Sequence, residues 1–278
     1  MTYSDFETSV DGARPVELYR IDYSGNHWYY TSADTPITFQ GVTYMPVACS
    51  SDTVDLSSDP TKAAISATFP RDIPFADLFR VQPPSEVVVL TVFALNYNDP
   101  SGDTNFVTKW IGRIINVSWE GQYTKLTTES ALGSMQRVGL RRRYSASCPY
   151  ALYSAACGVQ RSLYRQDSTI SSLNGLQIIV PAAAGTPDGR YGGGYITWIN
   201  NVNGNTEKRM IRDSVGSSGT LMLASLPVGL ALGQAVSIYR GCKHIIGAGG
   251  CTDFNNTDNY GGMPYIPRKN PFGNVSLF

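Results

Sequence analysis

Four of the chain's five cysteines fall into two pairs of identical spacing, Cys148 with Cys157 and Cys242 with Cys251, each C-x8-C. Four thiolates converging on one point can hold a tetrahedral zinc ion or an iron–sulfur cluster. Structural zinc sites use tight knuckles with two to four residues between the cysteines. A loop of eight is wider and suits a bulkier [4Fe–4S] cube, whose ligands stand farther apart and whose sulfides need more backbone N–H groups. Gly158, Gly241, Gly247, Gly249 and Gly250 flank the four cysteines and permit close backbone approach and sharp turns. Cys49 follows "YMPVA" with no cysteine nearby, and reads as a small buried hydrophobe.

The same residues admit other readings. The four could be unrelated core thiols, although the repeated spacing and Gly-rich flanks argue against that. Two local disulfides would require oxidising surroundings. A nucleophile pair can be drawn from Cys242 or Cys251 with His244. Only two histidines exist, however, and His244 sits inside the second cysteine loop, where a supporting or surface role suits it better. His27 lies in an aromatic strand and reads as packing. No HExxH, GxSxG, P-loop or paired-carboxylate constellation is present, so catalysis has little support.

Composition narrows the classes. Hydrophobic residues make up 42% of the 278, enough for real cores rather than disorder. Charged residues are only 16%, and with 27 glycines and 17 tyrosines this suits a β-rich protein largely covered by neighbours. The formal net charge is zero, so no global field attracts nucleic acid or an acidic membrane. Arg141-Arg142-Arg143 is the one basic cluster, and a solvated turn is its plainer reading over a nucleic-acid contact. "MTYSDFETSV" has no signal-peptide pattern, and no apolar run approaches the roughly 18 residues that cross a bilayer. Synthesis in a cytoplasm is therefore expected, where thiols stay reduced and spaced cysteines point to metal or catalysis.

The elements that must position these cysteines are strands. "PVELYRIDYSGNHWYYTS" predicts a hairpin around Ser-Gly-Asn, and "TPITFQGVTYMPVA" repeats it with Gly41 at the turn. "AAISATFP" and "SEVVVLTVFALNY" are further strands, the second apolar enough to be buried on both faces. "FVTKWIGRIINVSWEGQYTKLTTES" alternates through a hairpin turning near Glu120-Gly121. "IPFADLFR" is the only short helical candidate. Period-2 patterning makes the N-terminal part an antiparallel, barrel-like domain.

A second β block lies in the 84 residues between Cys157 and Cys242. "GLQIIVPA", "GYITWINN", "TEKRMIRDS", "GTLMLASLP" and "QAVSIYR" predict about five short strands, a small barrel or sandwich. Tyr191-Gly-Gly-Gly-Tyr195 might suggest a phosphate cradle, but no helix follows it, so a flexible hairpin loop is expected. The ends of this inserted block should lie near each other. Beyond Cys251 periodicity vanishes, and Tyr260, Met263, Tyr265, Ile266 and Phe272 favour a tail docked on a partner. The expected organisation is a β domain over 1–140, cysteine segments over 141–162 and 240–267, an inserted barrel-like domain over 163–239 and an irregular tail over 268–278.

"SCPYALYSAACGV", "YRGCKHIIGAGGCTDFNNTDNYGGMPYIP" and the β-rich N-terminal half resemble the tail-tip hub proteins of long-tailed phages and gene transfer agents. The match lies nearest a branch of conserved phage proteins of unknown function, related in plan to the lambda-like tail-tip protein with an iron–sulfur cluster. The specific part covers about residues 141–267. The resemblance implies a mainly β trimeric baseplate hub (a homotrimer) around the tail channel, built in the host cytoplasm and resident in the virion tail tip. It implies a structural [4Fe–4S] cluster on Cys148, Cys157, Cys242 and Cys251, with zinc as the alternative occupant. Implied partners are the distal tail ring protein, the tape measure protein C-terminus and a central tail-tip or receptor-binding protein, with no sequence-specific nucleic acid and no membrane span. The competing function is a tail-associated, cysteine-dependent cell-wall hydrolase.

Overall fold

The computed structural model describes residues 3–9, 13–53, 64–99, 105–136, 139 and 144–266. Arg141–Arg143, Phe272 and the 268–278 tail lie outside the described residues. The chain divides into two compact units, 1–139 and 140–278, and each is mainly β.

In the first unit, β1 (Pro15–Tyr23) and β2 (Asn26–Thr31) pair around Ser24-Gly25, both at positive φ. Two consecutive left-handed residues make the turn whose twist matches an antiparallel hairpin. Gln40-Gly41 does the same between β3 (Ile37–Phe39) and β4 (Val42–Pro46). The remaining strands are β5 (Ser50–Ser51), β6 (Ser66–Pro70), β7 (Val89–Asn96), β8 (Val107–Glu120) and β9 (Tyr123–Ser130). The sheet order is β3-β4-β2-β1-β7-β8-β9-β6-β5. Because β4 borders β2 and the adjoining β5 borders β6, one stretch of chain, residues 42–51, brings the two ends of the sheet together.

That curled sheet encloses Tyr19, Ile21, Phe69, Leu90, Val92 and Leu126. "IPFADLFR" forms a 3-10 turn, Pro74–Phe79, that buries Phe75, Ala76 and Phe79 in the same core. The chain also has a short α-helix, Tyr3–Glu7, that its sequence pattern did not signal, held by the Thr8 hydroxyl on the Ser4 carbonyl. The expectation that β7 is buried on both faces holds in part. Leu90 and Val92 are buried while Val89, Thr91 and Phe93 are only half-buried. Leu90 and Val92 face the core of the curled sheet, whereas Leu95 is buried and Phe93 packed in a second cluster with Val16, Leu18, Phe39 and Tyr44.

A polar clamp closes part of this unit. Lys109 of β8 pairs with Glu17 of β1 and donates to the Ser51 hydroxyl at 2.7 Å, Ser51 donates to Glu17 at 2.9 Å, and the Tyr19 hydroxyl also donates to Glu17. Burial alone would raise the Glu17 pKa, but hydrogen bonds from Lys109, Tyr19 and Ser51 outweigh it and hold the carboxyl below its ordinary 4.5. A carboxyl with a lower pKa folded than unfolded stabilises fully above the unfolded value, and that share is lost as pH falls through the folded one. Lys109→Met is therefore expected to lower stability near neutrality by about 1–2 kcal/mol. It should also flatten the loss of stability below about pH 4.5. Denaturant titrations across that range test this, and an unchanged acid slope would show that the clamp does not set it.

The second unit contains β10 (Arg165–Thr169), β11 (Ser172–Asn174), β12 (Gln177–Ile179), β13 (Tyr195–Ile199), β14 (Thr206–Val215), β15 (Thr220–Leu223) and β16 (Ala235–Tyr239). Five of these follow the expected pattern. β10 and β11 do not, because "RQDST" and "SLN" carry no apolar alternation and β10 is mostly exposed. Yet they complete the sheet, ordered β10-β16-β13-β14-β15-β12-β11. β10 pairs with β16 and its immediate successor β11 with β12, so one bent run closes a barrel around Ile178, Tyr191, Ile196, Trp198, Ile211, Leu221 and Ile238. Arg165 lies opposite Tyr239, so the block's two ends are side by side.

Candidate functional site

All four paired cysteines belong to the second unit, whereas Cys49 belongs to the first, half-buried against its core. Burial, and then the Glu17 charge, push the Cys49 thiol up to about 12, as suits an inert core thiol. In the first cysteine loop the Cys157 N–H donates to the Ser154 carbonyl at 3.0 Å and to its hydroxyl at 3.3 Å. In the second, Lys243 N–H bonds Gly249 carbonyl and Cys251 N–H bonds Ile245 carbonyl, both at 2.9 Å. Cys251 then opens a 3-10 turn, Cys251–Phe254.

The two loops are joined directly. Cys148 N–H donates to the His244 carbonyl at 2.9 Å, and His244 Nδ1 meets the Cys148 carbonyl at 3.1 Å. A carbonyl only accepts, so Nδ1 carries the proton. Asn256 reaches across with Nδ2 to the Cys157 carbonyl at 2.6 Å while its N–H bonds the Cys251 carbonyl at 3.0 Å. The Tyr260 hydroxyl donates to the Ala146 carbonyl, and Met263 N–H reaches Ser145 at 2.9 Å. The stretch after Cys251 thus docks on its own chain through Tyr260 and Met263, while Tyr265 is 95% exposed.

Cys157 and Cys251 are buried, and Cys148 and Cys242 half-buried. Cys157, Val159 and Phe254 form a small apolar cluster joined by Tyr150, Tyr153, Tyr164 and Cys242. Burial, then the neighbouring Cys242, Cys148 and Cys157, push the Cys251 thiol up to about 11. Cys242 is raised too, by burial first and then by Cys157 and Cys148, against the His244 N–H and Arg240. The two pairs are therefore in electrostatic reach of each other. Among the described residues, no group of three or more His, Cys, Asp or Glu side chains is already set to hold a metal ion.

By type, four thiols are the donors that a thiolate-ligated metal group takes. Four thiols share one region, and polar hydrogens already point at two of them: His244 N–H at Cys242 Sγ, 3.3 Å, and Asn256 Nδ2 at Cys157 Sγ, 3.9 Å. Such donors stabilise negative sulfur and tune Fe–S centres. The hydrolase alternative fares worse. Burial raises the Cys251 and Cys242 thiols, the reverse of an activated nucleophile.

Two of the flanking glycines show why the loops need them. A Cβ on Gly250 would sit 1.8 Å from the Ile245 carbonyl, and one on Gly241 1.9 Å from the Gly192 carbonyl. Gly247, by contrast, meets nothing within 4 Å. His244 takes the supporting role expected of it, whereas sequence reasoning passes over Asn256, although "CTDFNNTDNYGG" displays it. A Cβ on Gly261 would lie 2.5 Å from the Tyr150 ring, so that stretch is built to press on the first cysteine loop.

The cysteine loops also pack on the barrel. Tyr153 meets the Tyr195 and Tyr239 rings edge-on at 6.2 and 6.4 Å, and Tyr164 meets Phe254 at 4.7 Å.

Three comparisons bear on this arrangement. Residues 13–160, more than half of the chain, match the family model described as "Baseplate hub protein, N-terminal attachment domain". Residues 189–270 match "Phage conserved hypothetical protein BR0599". No curated protein matches the sequence. Among solved structures, a chain of the virion of a native gene transfer agent particle superposes with a TM-score of 0.76 at 16% identity, over 99% of both chains. At that identity the likeness is one of fold. No helix among the described residues is long and apolar enough to cross a membrane.

Proposed function

We propose, from the premise that this chain belongs to the baseplate hub protein family and so is a virion component, that it acts as a structural hub stapled by a four-thiolate cluster. Three copies would ring the tail channel. The distal tail ring protein, the tape measure protein C-terminus and a central tail-tip or receptor-binding protein would contact it. Cys148, Cys157, Cys242 and Cys251 would hold a [4Fe–4S] cluster, whose contribution is cross-linking two loops that share little patterned sequence. Metal binding free energy then becomes folding free energy.

The observation that carries this reading is the joining of the two C-x8-C loops by His244 and Asn256, which gathers four thiols in one unit of a hub-family chain. The loop length favours a cube over a single zinc ion, for which tighter knuckles are usual. A closed ring gives each subunit two unlike contact faces, in keeping with the low charge content.

Imaging of assembled particles tests the ring, and three copies of this chain at the tail tip are expected. A two-fold or six-fold arrangement would contradict it. Iron, sulfide and zinc analysis of anaerobically purified protein tests the cluster, with about four iron and four sulfide per chain expected. Zinc alone would leave a four-thiolate site but remove the cluster.

A further inference from the structure

The glycine run at 192–194 lacks a following helix, and the barrel wall there continues into something else. Pro187, Asp188, Gly189 and Arg190 face Arg240, Gly241, Lys243, Ala248, Gly249 and Asp253 across a cavity of about 300 Å³. That is the lower end of small-molecule site volumes. The two halves of its wall come from strand-connecting segments some fifty residues apart, locked together by Gly241 N–H on the Arg190 carbonyl at 3.2 Å.

Its charges are unequally engaged. Arg240 pairs with Asp253 and also donates to the Asp253 carbonyl at 3.0 Å. Asp188 accepts the Gly216 N–H at 2.8 Å. The Arg190 guanidinium and the Lys243 ammonium, by contrast, have no hydrogen bond or ion pair among the described residues. Lys243 is nonetheless placed, since a Cβ on Gly249 would be 2.9 Å from its Cδ and one on Gly189 4.0 Å from its Cε. Lys243 is exposed, and both glycines stand at positive φ, +72° and +81°, which by itself favours glycine there. Lys243 thus offers the cavity a cation that has no partner among the described residues.

We propose that this cavity is a binding site for a small phosphate-type anion, held by Arg190 and Lys243 with Arg240 fixed behind them by Asp253. Arg190, Arg240 and Lys243 outnumber Asp188 and Asp253 on the wall, so the cavity is net positive, and Arg190 and Lys243 have no partner among the described residues. An arginine fork and a lysine point charge are the pair that phosphate oxygens take. The two carboxylates on the wall disfavour a phosphodiester polymer, which would need a continuous cationic track. Lys243 and Gly249 lie between Cys242 and Cys251, so the site shares the second cysteine loop and is tested on protein that keeps that loop as purified.

Calorimetric titration of the full chain with inorganic phosphate, pyrophosphate and acetate tests the proposal. Saturable phosphate or pyrophosphate binding with a Kd below about 1 mM is expected, with acetate far weaker. Arg190→Gln should weaken it about tenfold or more, the loss of one charge-assisted hydrogen bond. Asp188→Asn keeps an acceptor for Gly216 N–H but removes a repelling charge, so it should bind phosphate severalfold more tightly. A sign-reversed pair of this kind separates the site from damage to the fold. Absence of saturable binding would overturn the proposal. So would acetate binding as tightly as phosphate, or Arg190→Gln and Asp188→Asn both leaving the affinity unchanged.

Discussion

Serine at any one of Cys148, Cys157, Cys242 or Cys251 is expected to abolish metal loading and to destabilise the second unit to a similar degree in all four cases. Each change removes one ligand from a single shared group. Structural zinc contributes roughly 10–16 kcal/mol in small peptides, as much as the whole stability of an ordinary domain. Otherwise the loops are held by one small apolar cluster, backbone hydrogen bonds, side-chain bonds from His244, Asn256 and Tyr260, and ring contacts with the barrel. Metal-to-protein ratio and thermal melting of the four variants measure the effect. Cys49→Ser is the control, and should keep the metal and change stability by about 1–2 kcal/mol. Widely different behaviour among the four variants would mean that they do not share one site.

Phe75→Ala is expected to remove about 3–5 kcal/mol from the first unit, the usual range for truncating a fully buried phenylalanine. Phe75 is 0% exposed and sits where the 3-10 turn enters the barrel. Its ring meets Phe69 at 5.4 Å, Tyr30 at 6.2 Å and Trp28 at 6.4 Å. The curled sheet cannot collapse into the vacated space without breaking strand pairs, so relaxation recovers little. Phe75→Leu, nearer in volume, should lose about 1.5 kcal/mol or less. Denaturant unfolding followed by Trp28 fluorescence reads both. Equal losses for the two variants would show that the turn does not act as a plug of the core.

Much of this architecture is legible in the chain itself. Ser24-Gly25, Gln40-Gly41 and Gly121 mark three hairpins correctly because a turn's conformation is decided by the residues that form it. Five strands of the second barrel follow from alternation for the same reason. The paired cysteine spacing is legible too, since spacing needs no fold to be seen. The closing strands β10 and β11 are not, because "RQDST" and "SLN" acquire strand geometry only from β16 and β12, which supply their ladder partners. Nor could the pattern tell that β7 serves two separate cores, Leu90 and Val92 one and Leu95 the other, which depends on what lies across each face of the sheet.

The sequence by itself determined a β-rich chain with two matched thiol pairs and a glycine-rich, aromatic segment after them. Only the tertiary structure decided which groups serve those thiols, that Tyr260 and Met263 turn back onto residues 145–146, and that Arg190 meets Lys243 across a cavity. Turns and alternation are energies between chain neighbours, already present in a short peptide. Barrel closure, N–H donation to sulfur and the convergence of unpaired cations are energies between residues tens of positions apart, which exist only after the loops separating them have closed.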